Sequence, residues 1–200
     1  MSQLFIAEDG LARCSWCESA PDIFIDYHDK EWGFPVDDDY RLFEKISLEG
    51  FQSGLSWRTI LVKRENFRKS FCGFDFNKVA LFGPKDVEEL LKNEGIVRHR
   101  GKIEAVVNNA KKAQEMVSKH GSLAHFFWSY EPKSHVAPQS ITTSEASIAL
   151  SKELKRLGWK FVGPTTIYSF MQAMGMINDH VHGCVTREKV EVARTCFKRH

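Results

Sequence analysis

Four side chains of the metal-ligating kind sit toward opposite ends of this 200-residue chain: Cys14 and His28, then His180 and Cys184. The later pair lies in Asn178-Asp179-His180-Val181-His182-Gly183-Cys184, a spacing of four. On a helix-to-turn stretch that spacing brings an imidazole and a thiolate to one side. The earlier pair, fourteen positions apart, closes in Tyr27-His28-Asp29-Lys30-Glu31-Trp32-Gly33. Zn2+ favours four N and S ligands in a tetrahedron, and a closed Cys2His2 set leaves no coordination position for a reacting water. If one ion takes all four, it staples 14–28 to 180–184 and does structural work. Two other readings stay open. Cys14 and Cys17 form a C-x-x-C that could be redox-active, and His182 rivals His180, although only two positions from Cys184. The sequence has no second C-x-x-C and no strand-helix-strand pattern around the first, which disfavours a thioredoxin-like role. Cys17, Cys72 and Cys196 read as packed or exposed free thiols.

A second chemistry is carried by Leu90-Leu91-Lys92-Asn93-Glu94-Gly95-Ile96-Val97-Arg98-His99-Arg100-Gly101-Lys102-Ile103. One helix ends, Gly95 permits the reversal, Ile96 and Val97 anchor the turn, and a new helix begins. The first turn of a helix offers free N–H groups and a positive dipole end, a ready site for a phosphate oxygen. Arg98, Arg100 and Lys102 add positive charge there. Between Lys92 and Lys119 seven Lys or Arg face only Glu94, Glu104 and Glu115, so a polyanion footprint is concentrated on an otherwise balanced chain.

Helical periodicity accounts for the elements that must position these groups. Asp38 or Asp39 caps a helix near 39–52, and Ser56 caps one running to about Phe71. A turn follows at 76–81, and Pro84 opens a helix through Leu91. Ile103 to Val117 makes a long amphipathic helix, and Gly121-Ser122 restarts a short one through Trp128. The stretch 130–143 reads as a loop. Ser144 or Ser147 caps a helix ended by Gly158, and Pro164 opens another through Met174. No alternating strand pattern of useful length is found, so the expected fold is all-α, one domain spanning 1–200 with the helical hairpin at about 84–119. Hydrophobic residues make up 42%, with 15 Phe, enough for an aromatic-rich core. An odd count of five cysteines points to a reducing compartment, and neither a signal peptide nor a membrane span is seen. The expected setting is cytoplasmic, with no membrane partner.

With these residues in view, the sequence resembles the 3-methyladenine DNA glycosylase I family of the helix-hairpin-helix superfamily. The resemblance runs from about Arg13 to Cys184. It rests on Arg13-Cys14-x-Trp16, Tyr27-His28-Asp29-x-Glu31-Trp32-Gly33, Leu48-Glu49-Gly50-x-Gln52-x-Gly54-Leu55-Ser56-Trp57, Gly95-Ile96-x-Arg98-His99-Arg100-Gly101-Lys102-Ile103, Phe161-Val162-Gly163 and Asn178-Asp179-His180. It implies one structural Zn2+ on Cys14, His28, His180 and Cys184. It further implies a monomeric, monofunctional hydrolase without lyase activity. That enzyme frees 3-methyladenine from double-stranded DNA by flipping the base into a pocket and leaves an abasic site.

Carried over residue by residue, Glu49 is the implied catalytic and base-reading acid, whose carboxylate suits a cationic base. Trp57 and Trp32 offer stacking faces, and Tyr27, beside His28, offers a hydroxyl. Phe24 stands where the family is expected to have Tyr, which removes one pocket hydroxyl. Gly95, Ile96, Arg98, Arg100 and Lys102 are implied to hold the DNA backbone. Gln52, Gly54 and Leu55 form an interhelical segment implied to enter the gap left by the flipped nucleotide, with Leu55 as plug. No Asp occurs from Glu104 to Asn178, where many superfamily members place a catalytic one. That absence fits a leaving group that is already positively charged. Two rivals remain: a helical DNA-binding module without catalysis, and a Cys14–Cys17 redox protein.

Overall fold

The computed structural model describes residues 3–133 and 137–199. Part of the expected loop at 130–143, residues 134–136, lies outside them. Ten α-helices are found among the described residues. They are α1 (Pro21–Lys30), α2 (Asp39–Gln52), α3 (Trp57–Ser70), α4 (Phe76–Val79), α5 (Pro84–Lys92), α6 (Arg100–His120), α7 (Leu123–Trp128), α8 (Glu145–Arg156), α9 (Pro164–Ala173) and α10 (Arg187–Cys196). Side-chain caps set several starts: Asp38 accepts from the Arg41 amide, Ser56 from Thr59, and Ser144 from Ser147. No described helix is long and apolar enough to cross a membrane.

The structure departs from the helical reading in three places. β1 (Leu4–Ile6) and β2 (Ala12–Cys14) pair antiparallel, with Leu4 opposite Cys14. Three-residue strands are too short to show an alternating pattern. Helices α1 and α10 also lie outside the periodicity reading. The stretch from Asn178 to Cys184 is irregular rather than a helix-to-turn segment.

The main core fills with phenylalanine. Phe51 and Phe67 lie 4.6 Å apart centroid to centroid, and Phe71 stacks on Phe74 at 5.7 Å. Two smaller apolar clusters, around Cys14, Tyr27 and Trp32 and around Cys17 and Phe24, close over one end. Trp57 packs against all three groups, so the seam between main core and small clusters runs along the first turn of α3.

Candidate active site

A cavity of about 490 Å3 opens at that seam, walled by Trp16, Phe24, Tyr27, Trp32 and Trp57, with Glu49, Gln52, Ser169 and Gln172 among its polar lining. Trp16 stands edge-on to Phe24 at 5.4 Å and to Trp32 at 5.3 Å, while Tyr27 tilts against Trp57 at 5.4 Å. Sequence reasoning reached Phe24, Tyr27, Trp32, Glu49, Gln52 and Trp57. It missed Trp16, whose signal is its place two residues after Cys14. It also missed Ser169 and Gln172, polar residues on α9.

Glu49 enters the cavity from the last turn of α2. It is only 5% exposed and accepts no hydrogen bond from a described residue. Burial pushes its carboxyl up to about 8, with Lys45 one turn earlier pulling the other way. Burial likewise lowers Lys45 to about 8 and raises Tyr27 well above the usual phenol value. A buried acid with no fixed donor, ringed by indoles, is poised to take a cationic partner that supplies both donor and charge.

Cys14, His28, His180 and Cys184 are buried, and their ligating atoms all lie within 4.8 Å of one another, so together they could hold one metal ion. His28 Nε2 faces His180 Nδ1 at 3.1 Å, and Cys184 Sγ lies 3.4 Å from the former and 3.6 Å from the latter. Cys14 Sγ is 3.8 Å from His180 Nδ1. Each ring's other nitrogen meets an acceptor: His28 Nδ1 donates to Asp29 Oδ1 at 2.7 Å and His180 Nε2 to Trp32 O at 2.9 Å. In neutral rings those contacts hold the protons outside, so two lone pairs point at each other across the centre. Gly33 is needed beside this cluster. Its φ is +85°, and a Cβ would come 3.1 Å from His180 Nε2. The four-residue cluster reaches the cavity directly, because Trp32 packs edge-on against His180 at 4.7 Å and Tyr27 precedes His28.

In the turn between α5 and α6, Ile96 anchors the chain as expected, whereas Lys102 is not the mobile charge expected of it. Gly95 does not adopt a left-handed φ. Glycine fits there because a Cβ would fall 2.9 Å from Asn66 Cγ on α3. Ile96 is 2% exposed, so its side chain anchors the turn from inside. Lys102 is not a mobile surface charge. It is buried, and its Nζ donates to Phe51 O at 2.8 Å and Ser53 O at 2.5 Å, at the C-terminal end of α2. Arg98 and Arg100 remain about half exposed, paired with Glu94 at 3.4 Å and Glu88 at 2.7 Å. His99 Nδ1 caps α6 by accepting from the Lys102 amide at 3.2 Å. Gln52 lines the cavity, Gly54 turns the chain at φ +79°, and Leu55 projects 40% exposed beside it.

The methyladenine glycosylase family matches residues 16–188. The chain is 49% identical to DNA-3-methyladenine glycosylase 1 of Escherichia coli (strain K12) over 180 residues, covering 87% of this chain and 96% of that one. It is 46% identical to the Haemophilus influenzae DNA-3-methyladenine glycosylase over 178 residues, 86% of this chain and 96% of that protein. A crystal structure of 3-methyladenine DNA glycosylase I superposes with TM-score 0.82 at 47% identity, covering 86% of this chain and 98% of that one. A variant of such an enzyme in complex with 3-methyladenine superposes at 0.79 with 37% identity, over 82% and 92% of the two chains. On these grounds the chain belongs to the methyladenine glycosylase family.

Proposed function

We propose that the protein hydrolyses the N-glycosidic bond of 3-methyladenine in double-stranded DNA, releasing the free base and leaving an abasic site. The observation that carries this reading is Glu49, a buried carboxyl with no hydrogen-bond donor among the described residues, inside a cavity lined by five aromatic side chains. A base stacked in a duplex is out of reach, so the nucleotide swings out and its ring enters the cavity. Methylation at N3 makes the ring cationic. The Trp57 and Trp32 faces attract it, and its charge holds Glu49 ionised against the burial that otherwise protonates it. As the C1′–N9 bond breaks, its electron pair neutralises the ring. Water adds to C1′ and gives up its proton to solvent. Glu49 and the indoles bind, orient and exclude bulk water, so rate comes from positioning and charge complementarity. A lysine nucleophile is not required for this route, in keeping with hydrolysis without strand cleavage.

The donor set fits Zn2+. With usual Zn–S and Zn–N lengths, tetrahedral edges are roughly 3.3–3.8 Å, close to the separations quoted for Cys14, His28, His180 and Cys184. The ion would be closed to water and would fasten Tyr27 and Trp32 in place. DNA grip is assigned to Arg98, Arg100 and the turn beginning at Gly95, in the helix-hairpin-helix manner, with Lys102 and Ile96 supporting it from inside. Exposed Leu55, with Gln52 and Gly54, is the proposed plug of the vacated stack. The test is to incubate purified protein with methylated duplex DNA and identify what is freed. Free 3-methyladenine together with alkali-labile sites in the DNA supports the reading. DNA binding without any released base would support the binding-module alternative.

A further inference from the structure

Gln172, in the last turn of α9, lines the same cavity as the acid, and its amide is not free to choose its orientation. Its Nε2 donates to Asp179 Oδ2 at 2.5 Å. Asp179 is 2% exposed and also accepts from the Gln139 amide at 2.8 Å, while Tyr168 OH lies 3.5 Å from Oδ2. Gln139 holds a left-handed φ of +54° and bonds Asp179 twice, its Nε2 donating to the Asp179 carbonyl at 3.1 Å. A carboxylate only accepts, so it takes one N–H of Gln172, holds the NH2 end toward itself and leaves Oε1 as the amide's acceptor. That oxygen accepts from no described residue.

We infer that Gln172, locked by Asp179, is a specificity-determining residue that reads the six-position of the flipped purine. It presents an acceptor to a 6-amino group and rejects a 6-oxo group. The inference rests on the proposed base pocket and deepens it. With Glu49 as the other acceptor, the polar groups fixed here match the two N–H donors of an adenine edge. They set lone pair against lone pair for guanine or hypoxanthine. A site whose acceptors would be left facing an acceptor discriminates far more strongly than one that merely lacks a contact. Asp179 directly precedes His180, so the positioning residue for this reading belongs to the same segment as the proposed staple.

Two variants test this. Gln172→Met keeps side-chain length without the amide, and Asp179→Asn keeps shape while removing the demand for a donor. Folding is checked by thermal melting. Release of 3-methyladenine and 3-methylguanine from methylated DNA is then compared by chromatography. Binding of free 3-methyladenine and 3-methylhypoxanthine is followed by tryptophan fluorescence. In each variant the preference for the 6-amino base is expected to fall about tenfold relative to wild type, the size of one hydrogen bond. A folded variant that weakens both bases equally makes Gln172 a packing residue and overturns the inference alone. A wild type that binds neither base overturns the proposed pocket with it.

Discussion

At the scale of single residues, Glu49 carries opposed demands. Its folded value is raised to about 8 from an ordinary 4.5 by burial. The fold therefore favours the protonated form, and this advantage, complete below about 4.5, is lost as pH climbs through about 8. Glu49→Gln should consequently stabilise the protein by an amount near zero at pH 4 and on the order of 2–4 kcal/mol at pH 9, measured by denaturant unfolding. The same ionisation should appear in activity. If the carboxylate is the working form, kcat/KM on methylated DNA rises with pH and levels off above about 8, a limb missing from Glu49→Gln. Residue-level chemistry was the most legible part of the sequence, because Cys, His, Glu and Trp announce themselves by type. Gln172 and Ser169 were illegible, since an amide or hydroxyl on an apolar helix gains meaning only from what the fold sets opposite it.

At the scale of elements, helices with clear apolar periods and capping residues were readable to within about three residues, the long α6 extending three beyond the expected Ile103 and Val117 at each end. Asp38, Ser56, Pro84 and Pro164 all stand where chain starts are expected. What could not be read was the direction of a lysine. Lys102 in sequence is one more charge in a basic run; in the fold it ties the first turn of α6 to the carbonyl end of α2, within four residues of Glu49 and Gln52. A cation there also suits the negative end of the α2 dipole. Lys102→Met is expected to lower kcat/KM about tenfold or more while leaving the salt dependence of DNA binding unchanged. Arg98→Ala is expected to reduce that salt slope by about one phosphate contact. Measuring binding at several salt concentrations separates the two. A reduced slope for Lys102→Met would restore it as a phosphate ligand.

At the scale of the whole molecule, the Cys14–His28 and His180–Cys184 pairs bring together segments 152 positions apart, measured His28 to His180. A crosslink closing a loop of that length contributes up to about 5 kcal/mol in the chain-entropy account. The purified protein should hold one zinc per chain, and chelation or His180→Ala should lower its melting temperature by on the order of 10 °C or more. Cys17→Ser should leave zinc content and excision nearly unchanged, whereas a redox role for Cys14 and Cys17 requires loss. The buried cluster was visible as two Cys/His pairs, yet the short strands and α1 that deliver Cys14 and His28 were not, because such brief elements carry too little pattern. The whole assembly converges on the acid in its aromatic hollow, and single-turnover release of 3-methyladenine from methylated duplex by wild type and Glu49→Gln examines that point directly. The expected result is release by wild type, slowing of at least about a hundredfold in the variant, and DNA affinity for the two proteins within about threefold. Equal release by both proteins would contradict the account.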